Sequence, residues 1–381
     1  MPENTTVEYL VLIFHLVLIH DANIRIKKTG VFCMKNGKVG IGIIGAGNIA
    51  QNAHIPSYLK QKDVDIIAVC DINEARAREV ADKYNIKYVT PTFEELVSIE
   101  EVDAVSICTA NNFHEPAAAA AAKAGKHILC EKPMAMNVEE AESMLKAANE
   151  NNIIFMMGFV NRFRADSKVI KALSDADKFG EVYSAKACLL RRRGTPLGWF
   201  TNLSKSGGGP VIDIGVHIID LAWYFMCKPK PASVSAVTYN KIGDYKTKGV
   251  SRWVALDTDN LVFQTEDSAC GLIRFDNGAS MVFEVSWAIN AKDVGMYAQI
   301  FGTKAGARIN PLEIYGEEED YLIDSTPIVK DENAFDNEIN HFIDCIREEK
   351  QPLATAEDGY LIQKILNGIY TSAKLGREVE L

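Results

Sequence analysis

Val39-Gly40-Ile41-Gly42-Ile43-Ile44-Gly45-Ala46-Gly47-Asn48-Ile49-Ala50 reads as a strand, a glycine turn and the start of a helix in immediate succession. The apolar run Val39 to Ile44 suits a strand buried in a parallel sheet, and the residues from Asn48 onward suit a helix. Residues 45 to 50 spell G-x-G-x-x-A. In a dinucleotide-binding turn Gly45 permits the bend, Gly47 lets the backbone approach a pyrophosphate, and Ala50 lets helix and strand pack closely. A competing frame, Gly40 to Gly45, lies inside the apolar run where no helix can open. The acidic residue required about 20 residues further on is Asp71, at the end of the apolar stretch Ile66 to Cys70. A carboxylate there accepts ribose hydroxyls of NAD and repels the 2′-phosphate of NADP, although Arg76 keeps NADP use open. The plainer reading makes Asp71 an N-cap for a helix over 73–84.

The chain has 381 residues, which points to two domains. Its hydrophobic content of 48% and charged content of 24% are those of a globular protein. A net charge of −10 argues against a nucleic-acid partner. The eight cysteines are scattered, show no metal-ligand spacing, and read as buried thiols of a reducing cytoplasm. No metal is expected. The apolar run Tyr9 to Ile19 is too short to span a bilayer, and it lacks the basic leader and small-residue cleavage site of a secretory signal. Met34 precedes the first strand closely, so residues 1–33 are expected to be an extension ahead of the natural start.

Strand and helix then alternate, as a parallel sheet with crossover helices requires. Strands are expected over 86–89, 104–108, 127–130 and 153–160, with helices over 93–98, 115–124 and 138–151. Ligands of open parallel sheets sit at the carboxyl ends of strands, so Thr109, Asn111 and His114 are expected to face the cofactor crevice. Glu131-Lys132-Pro133 ends the fifth strand, and proline keeps Lys132 extended. The alternation stops after residue 160. A helix over 166–173, strands over 182–190, 268–275 and 279–287, an Asp276-Asn277-Gly278 hairpin turn and helices over 333–348 and 357–373 predict a mainly antiparallel open sheet with helices. Domains are therefore expected at 34–160 and 161–381. The stretches 241–252 and 317–320 read as solvated surface.

In the second half, Gly207-Gly208-Gly209 leads into a helix apolar on nearly every side. Asp213, His217 and Asp220 fall at i, i+4 and i+7 and form one polar stripe on it. Buried polar groups need partners, and a histidine satisfied by its neighbours is the plain alternative. Hydride transfer from a carbinol needs a base and a cation beside the oxygen. His217 suits the first role and Lys132 the second, with Asp213 orienting His217 or binding a substrate hydroxyl. Asp220 reads as structural.

G-A-G-N-I-A at 45–50, E-K-P at 131–133, G-W-F at 198–200 and G-G-G-P-V-I-D-I-G-V-H-I-I-D at 207–220 together resemble the Gfo/Idh/MocA family of NAD(P)-dependent oxidoreductases. The resemblance implies an α/β fold, with an N-terminal Rossmann doubly wound parallel sheet and a C-terminal α/β domain used for homo-oligomer contacts, as dimer or tetramer. It implies catalytic Lys132, Asp213 and His217, and a sugar or polyol substrate contacted by Asn161, Arg162 and Trp199. Gly45, Gly47, Asn48, Ile49, Asp71, Thr109, Asn111, His114, Glu131 and Lys132 would hold NAD. Arg191 to Arg193 read as a solvated strand edge. A dehydrogenase, an NAD-retaining hydrolase or epimerase, and a non-enzymatic dinucleotide sensor all remain open within the family.

Overall fold

The computed structural model describes residues 37–250, 252–255, 262–292 and 294–381. The expected extension over 1–33 and the start at Met34 lie outside the described residues. Two sheets organise the unit Val39–Leu381. The first has six strands in the order β3-β2-β1-β4-β5-β6, all parallel. They are β1 (Val39–Ile44), β2 (Val64–Cys70), β3 (Tyr88–Thr90), β4 (Ala104–Ile107), β5 (His127–Glu131) and β6 (Phe155–Gly158). Every residue of β1 and β4 is buried, as strands covered on both faces must be.

Helix α1 follows the glycine turn and is wound as a π-helix over Ala50–His54 and as an α-helix over Ile55–Tyr58. Asn73, not Asp71, caps α2 (Glu74–Tyr84), its side chain accepting from Arg76 N at 3.1 Å. Helices α3 (Phe93–Ser98), α4 (His114–Lys123) and α5 (Val138–Asn151) complete the crossovers. Beyond α6 (Ala165–Asp175) lie β7 (Val182–Leu190), β8 (Pro231–Tyr239), β9 (Ser268–Phe275), β10 (Ser280–Ser286), β11 (Gly295–Gly302), β12 (Gly306–Ile309), β13 (Glu313–Glu318), β14 (Tyr321–Ser325) and β15 (Val379–Glu380), and the second sheet runs β14-β13-β12-β11-β7-β10-β9-β8-β15. Its central strands β7 (Val182–Leu190) and β10 (Ser280–Ser286) pair in parallel; the other pairs are antiparallel.

The chain closes by returning to the first sheet. Met157 N on β6 donates to Ala354 O at 2.9 Å, just ahead of the final helix Ala356–Leu375.

Arg162 corrects an expectation. It is fully buried on the turn after β6 rather than open to a substrate. Its guanidinium donates to Asp220 Oδ1 at 2.6 Å, Asp358 Oδ2 at 2.6 Å and Leu353 O at 2.9 Å, and lies 4.7 Å from the Tyr224 ring centre. A guanidinium so engaged ties three distant segments together and lies wholly inside the core. Burial pushes the Asp220 carboxyl up to about 6, against the pull of Arg162. Arg162→Ala strands Asp220 in the core, and denaturant unfolding should show a loss of about 3–5 kcal/mol. A loss below about 1 kcal/mol, the level of a surface pair, would contradict this account.

Candidate active site

The glycine turn is built by contact. Gly45 has φ +94°, and a Cβ there would lie 2.8 Å from the carbonyl carbon and oxygen of Cys108. Only glycine fits. At Gly47 the nearest atom to an added Cβ is Cys108 O at 4.0 Å, so the backbone faces open space. That space is a cavity of about 410 Å³ lined by Gly45, Gly47, Asn48, Ile49, Asp71 and Thr109 at one end. Ala46 N donates to Asp71 Oδ2 at 2.8 Å, drawing the carboxylate of β2 under the turn. Arg76 grips the same carboxylate, with Nη2 2.6 Å from Oδ1 and Nε 3.0 Å from Oδ2.

Glu131 and Lys132, at the end of β5, line the same cavity, as do Trp199 and Asp213 from the second half. Lys132 Nζ donates to Asp213 O at 2.9 Å and Oδ1 at 3.3 Å, and Asp213 Oδ2 accepts from Trp287 Nε1 at 3.0 Å. Asp213 sits in a π-wound turn, Val211–Gly215, that opens helix α7 (Val216–Phe225). Glu266 holds the start of that turn, its Oε1 accepting from Gly209 N at 3.0 Å and Val211 N at 3.2 Å. His217 follows one turn later. Its Nδ1 is buried without a hydrogen-bond partner. Burial, then the positive charges of Lys132 and Arg191, hold the imidazole well below its usual pKa.

The expected polar stripe divides. Asp213 faces Lys132, whereas Asp220 turns to Arg162 in the core. His217 and Asn161 are not among the residues lining the cavity. Asn111 lines it, with its Nδ2 donating to Ser206 O at 2.7 Å. His114 does not line it. A short turn over Asn111–Phe113 carries that side chain inward, where its ring nitrogens lie 2.8 Å from Pro133 O and 3.3 Å from Thr109 O. Thr109 Oγ1 is buried and unpartnered.

Sequence reasoning missed Phe200 and Trp253, which line the cavity beside Trp199. Phe200 stacks on Trp199 at 3.9 Å and meets Trp253 edge-on at 5.0 Å. G-W-F carried a signal for Phe200, but Trp253 follows a stretch that reads as solvated loop. Cys227 is exposed, against the expectation for the thiols, and the other described cysteines are buried or partly so. Among the described residues no cluster of three or more His, Cys, Asp or Glu side chains could hold a metal, and no helix is long and apolar enough to cross a membrane.

The family model described as an oxidoreductase family with an NAD-binding Rossmann fold matches residues 39–159, and the Gfo/Idh/MocA C-terminal domain model matches residues 168–308. D-glucoside 3-dehydrogenase of Escherichia coli (strain K12) is 34% identical over 353 residues, covering 91% of this chain and 99% of the relative. The chain belongs to the Gfo/Idh/MocA oxidoreductase family. Another similar member is myo-inositol 2-dehydrogenase of Thermotoga maritima, 26% identical over 84% of this chain and 91% of the relative. A levoglucosan dehydrogenase solved with NADH and levoglucosan shares the fold, with a TM-score of 0.78 at 24% identity, covering 90% of this chain and 99% of that one.

This member of the family is an NAD-binding oxidoreductase, and the glycine cradle, the Asp71 carboxylate and the orphaned Thr109 hydroxyl fit the dinucleotide. Gly47→Val fills the open space without touching the core. Calorimetric titration with NAD should show at least a tenfold loss of affinity, about 1.4 kcal/mol, with Tm unchanged. Unaltered affinity would remove the dinucleotide from this cradle.

Proposed function

We propose that the enzyme catalyses hydride transfer between NAD(H) and a carbinol of a sugar or polyol, with Lys132 and His217 handling the substrate oxygen and its proton. The observation that carries this reading is the Lys132 ammonium, held 2.9 Å from Asp213 O in the cavity into which the glycine turn opens. The backbone N–H groups at Gly47 and the start of α1 bind the pyrophosphate, Asp71 the ribose hydroxyls, and Thr109, Asn111 and Glu131 the nicotinamide end. The dinucleotide, when bound, supplies hydride acceptance or donation. Asp71 favours NAD over NADP, and Arg76, paired to it, is the group that a 2′-phosphate would meet.

In this reading the Lys132 ammonium stabilises the negative charge that grows on the substrate oxygen. Asp213 keeps that ammonium oriented through its carbonyl and carboxylate. His217, kept neutral by burial and by the charges of Lys132 and Arg191, accepts the hydroxyl proton. Trp199, Phe200 and Trp253 give the sugar an aromatic wall against which its C–H faces pack. The family relatives named as acting on a D-glucoside and on myo-inositol support that substrate class. The enzyme is further proposed to self-associate, since Val237, Tyr239 and Val282 stand exposed on one face of the second sheet. Light scattering on the purified protein reads the subunit number directly.

Steady appearance of NADH with a panel of sugars, glycosides and inositols tests the function, and its absence with all of them would overturn it. Lys132→Met should lower kcat by about 10²–10³. His217→Asn should lower it by about 10²–10⁴. The pH profile follows from the sign of the histidine shift. A folded-state pKa lowered below about 6.5 leaves the base unprotonated through neutrality, so kcat/KM should show no acidic limb centred near pH 6.5. A limb there that vanishes in His217→Asn would refute the neutral assignment.

A further inference from the structure

Beneath the cavity runs a buried polar chain that ends on Glu131 and Lys132 and whose other members take no part in the proposed reaction. His54, the last π-wound residue of α1, is fully buried. Its Nε2 donates to Glu131 Oε1 at 2.9 Å, and its Nδ1 meets Ser106 Oγ at 3.2 Å. Ser106 Oγ in turn lies 2.7 Å from the Tyr58 hydroxyl. The second carboxylate oxygen, Glu131 Oε2, accepts the backbone N–H of Lys132 at 3.2 Å. The chain therefore runs unbroken from the helix behind the glycine turn, across β4, to the backbone of Lys132. An imidazole and a carboxylate withdrawn from water are costly unless they satisfy each other.

The groups around His54 fix which of them carries charge. Glu131 faces it from β5, Cys108 from the end of β4 and Tyr58 from its own helix; Glu338, from the helix Ala334–Glu348, acts on Glu131. Glu338 is fully buried with neither carboxyl oxygen bonded, and burial and the Glu131 charge push it well above the usual carboxylate range. It is therefore a neutral acid. Burial would raise Glu131 as well, but its hydrogen bond to His54 and the charges of His54 and Lys132 bring it below the usual range. Burial likewise opposes a charge on His54, while Cys108 and the hydrogen bond and charge of Glu131 act the other way and raise the imidazole. The Cys108 thiol is itself raised by burial, so at neutral pH Glu131 is the anion that His54 meets.

We propose that His54 and Glu131 are positioning residues for Lys132: the imidazole holds the Glu131 carboxylate in the orientation that captures the Lys132 amide, fixing where β5 releases the lysine. The proposal rests on Lys132 being the group at the substrate oxygen. A misplacement of this kind costs turnover rather than cofactor affinity. His54→Gln should lower kcat by about 10²-fold while the NAD dissociation constant, read by calorimetry, stays within about twofold, and Glu131→Gln should lower kcat to the same extent. The double variant should lose no more than the worse single one, because the two residues act as one unit. Additive losses, or losses confined to NAD affinity, would overturn the proposal.

Two further arms separate this proposal from the reading it rests on. In a Lys132→Met background, His54→Gln should lower the residual rate no further, and an undiminished second loss overturns the positioning role. If Lys132→Met alone retains full turnover, the assignment of Lys132 fails instead. Nitrogen-15 NMR of the histidine-labelled wild-type protein reads the pair without any activity. His54 should show two protonated ring nitrogens at neutral pH, and a neutral ring overturns the charge pairing even if the variants fail to fold.

Discussion

The contact between the Lys132 ammonium and Asp213 is the constraint on which the site depends. Parallel strands offer side chains to a ligand only at their carboxyl edge, so a lysine at the end of β5 reaches the cavity but has no partner there. The partner comes from 81 residues away, as a carbonyl oxygen and a carboxylate of one residue. Asp213 is fixed in turn by Trp287, immediately after β10 of the second sheet. The position of one ammonium is thus set by both sheets. Neither half of the chain could hold it alone.

Two of the helices that reach the cavity begin with π-wound turns, Ala50–His54 and Val211–Gly215. Such turns are rare and collect at functional sites, because the extra residue re-aims side chains that regular winding would space evenly. One turn carries His54 and the other Asp213. This explains why the regular spacing of Asp213, His217 and Asp220 did not become a single stripe. Asp213 points to the lysine, and Asp220 enters the core to meet Arg162.

The first sheet was legible because a buried parallel strand between turn residues and a following helix leaves a strong period in the sequence. The glycine turn and Asp71 were legible for the same reason, since each performs a local task. Much of the second sheet was not. Strands β11 (Gly295–Gly302) and β12 (Gly306–Ile309) bury only Ala298, Ile300, Ala307 and Ile309, while β13 (Glu313–Glu318) and β14 (Tyr321–Ser325) bury nothing and β14 is exposed throughout. Without a buried face there is no alternation to read. Arg162 was misread because a motif shared with a family says nothing of the aspartates that surround it, which lie 58 and 196 residues away. His54 gave no signal, since a histidine on an apolar helix looks the same whether or not a carboxylate waits beneath it.

The site separates two ionisable groups by their depth and then by their partners. Lys132 has a carboxylate beside it, and His217 has only positive neighbours, so the same local field that suits an ammonium forbids an imidazolium. In the proposed reaction this makes His217 a ready acceptor at neutral pH but a poor place for a proton to rest. Loss of charge on the substrate oxygen, as the carbonyl forms, removes the one group that would steady the imidazolium. The proton must then leave before the site resets, or return at once if the oxygen recovers its charge. A weak base beside a fixed cation therefore suits a reversible transfer, with the balance set by the reduced and oxidised substrates rather than by the protein.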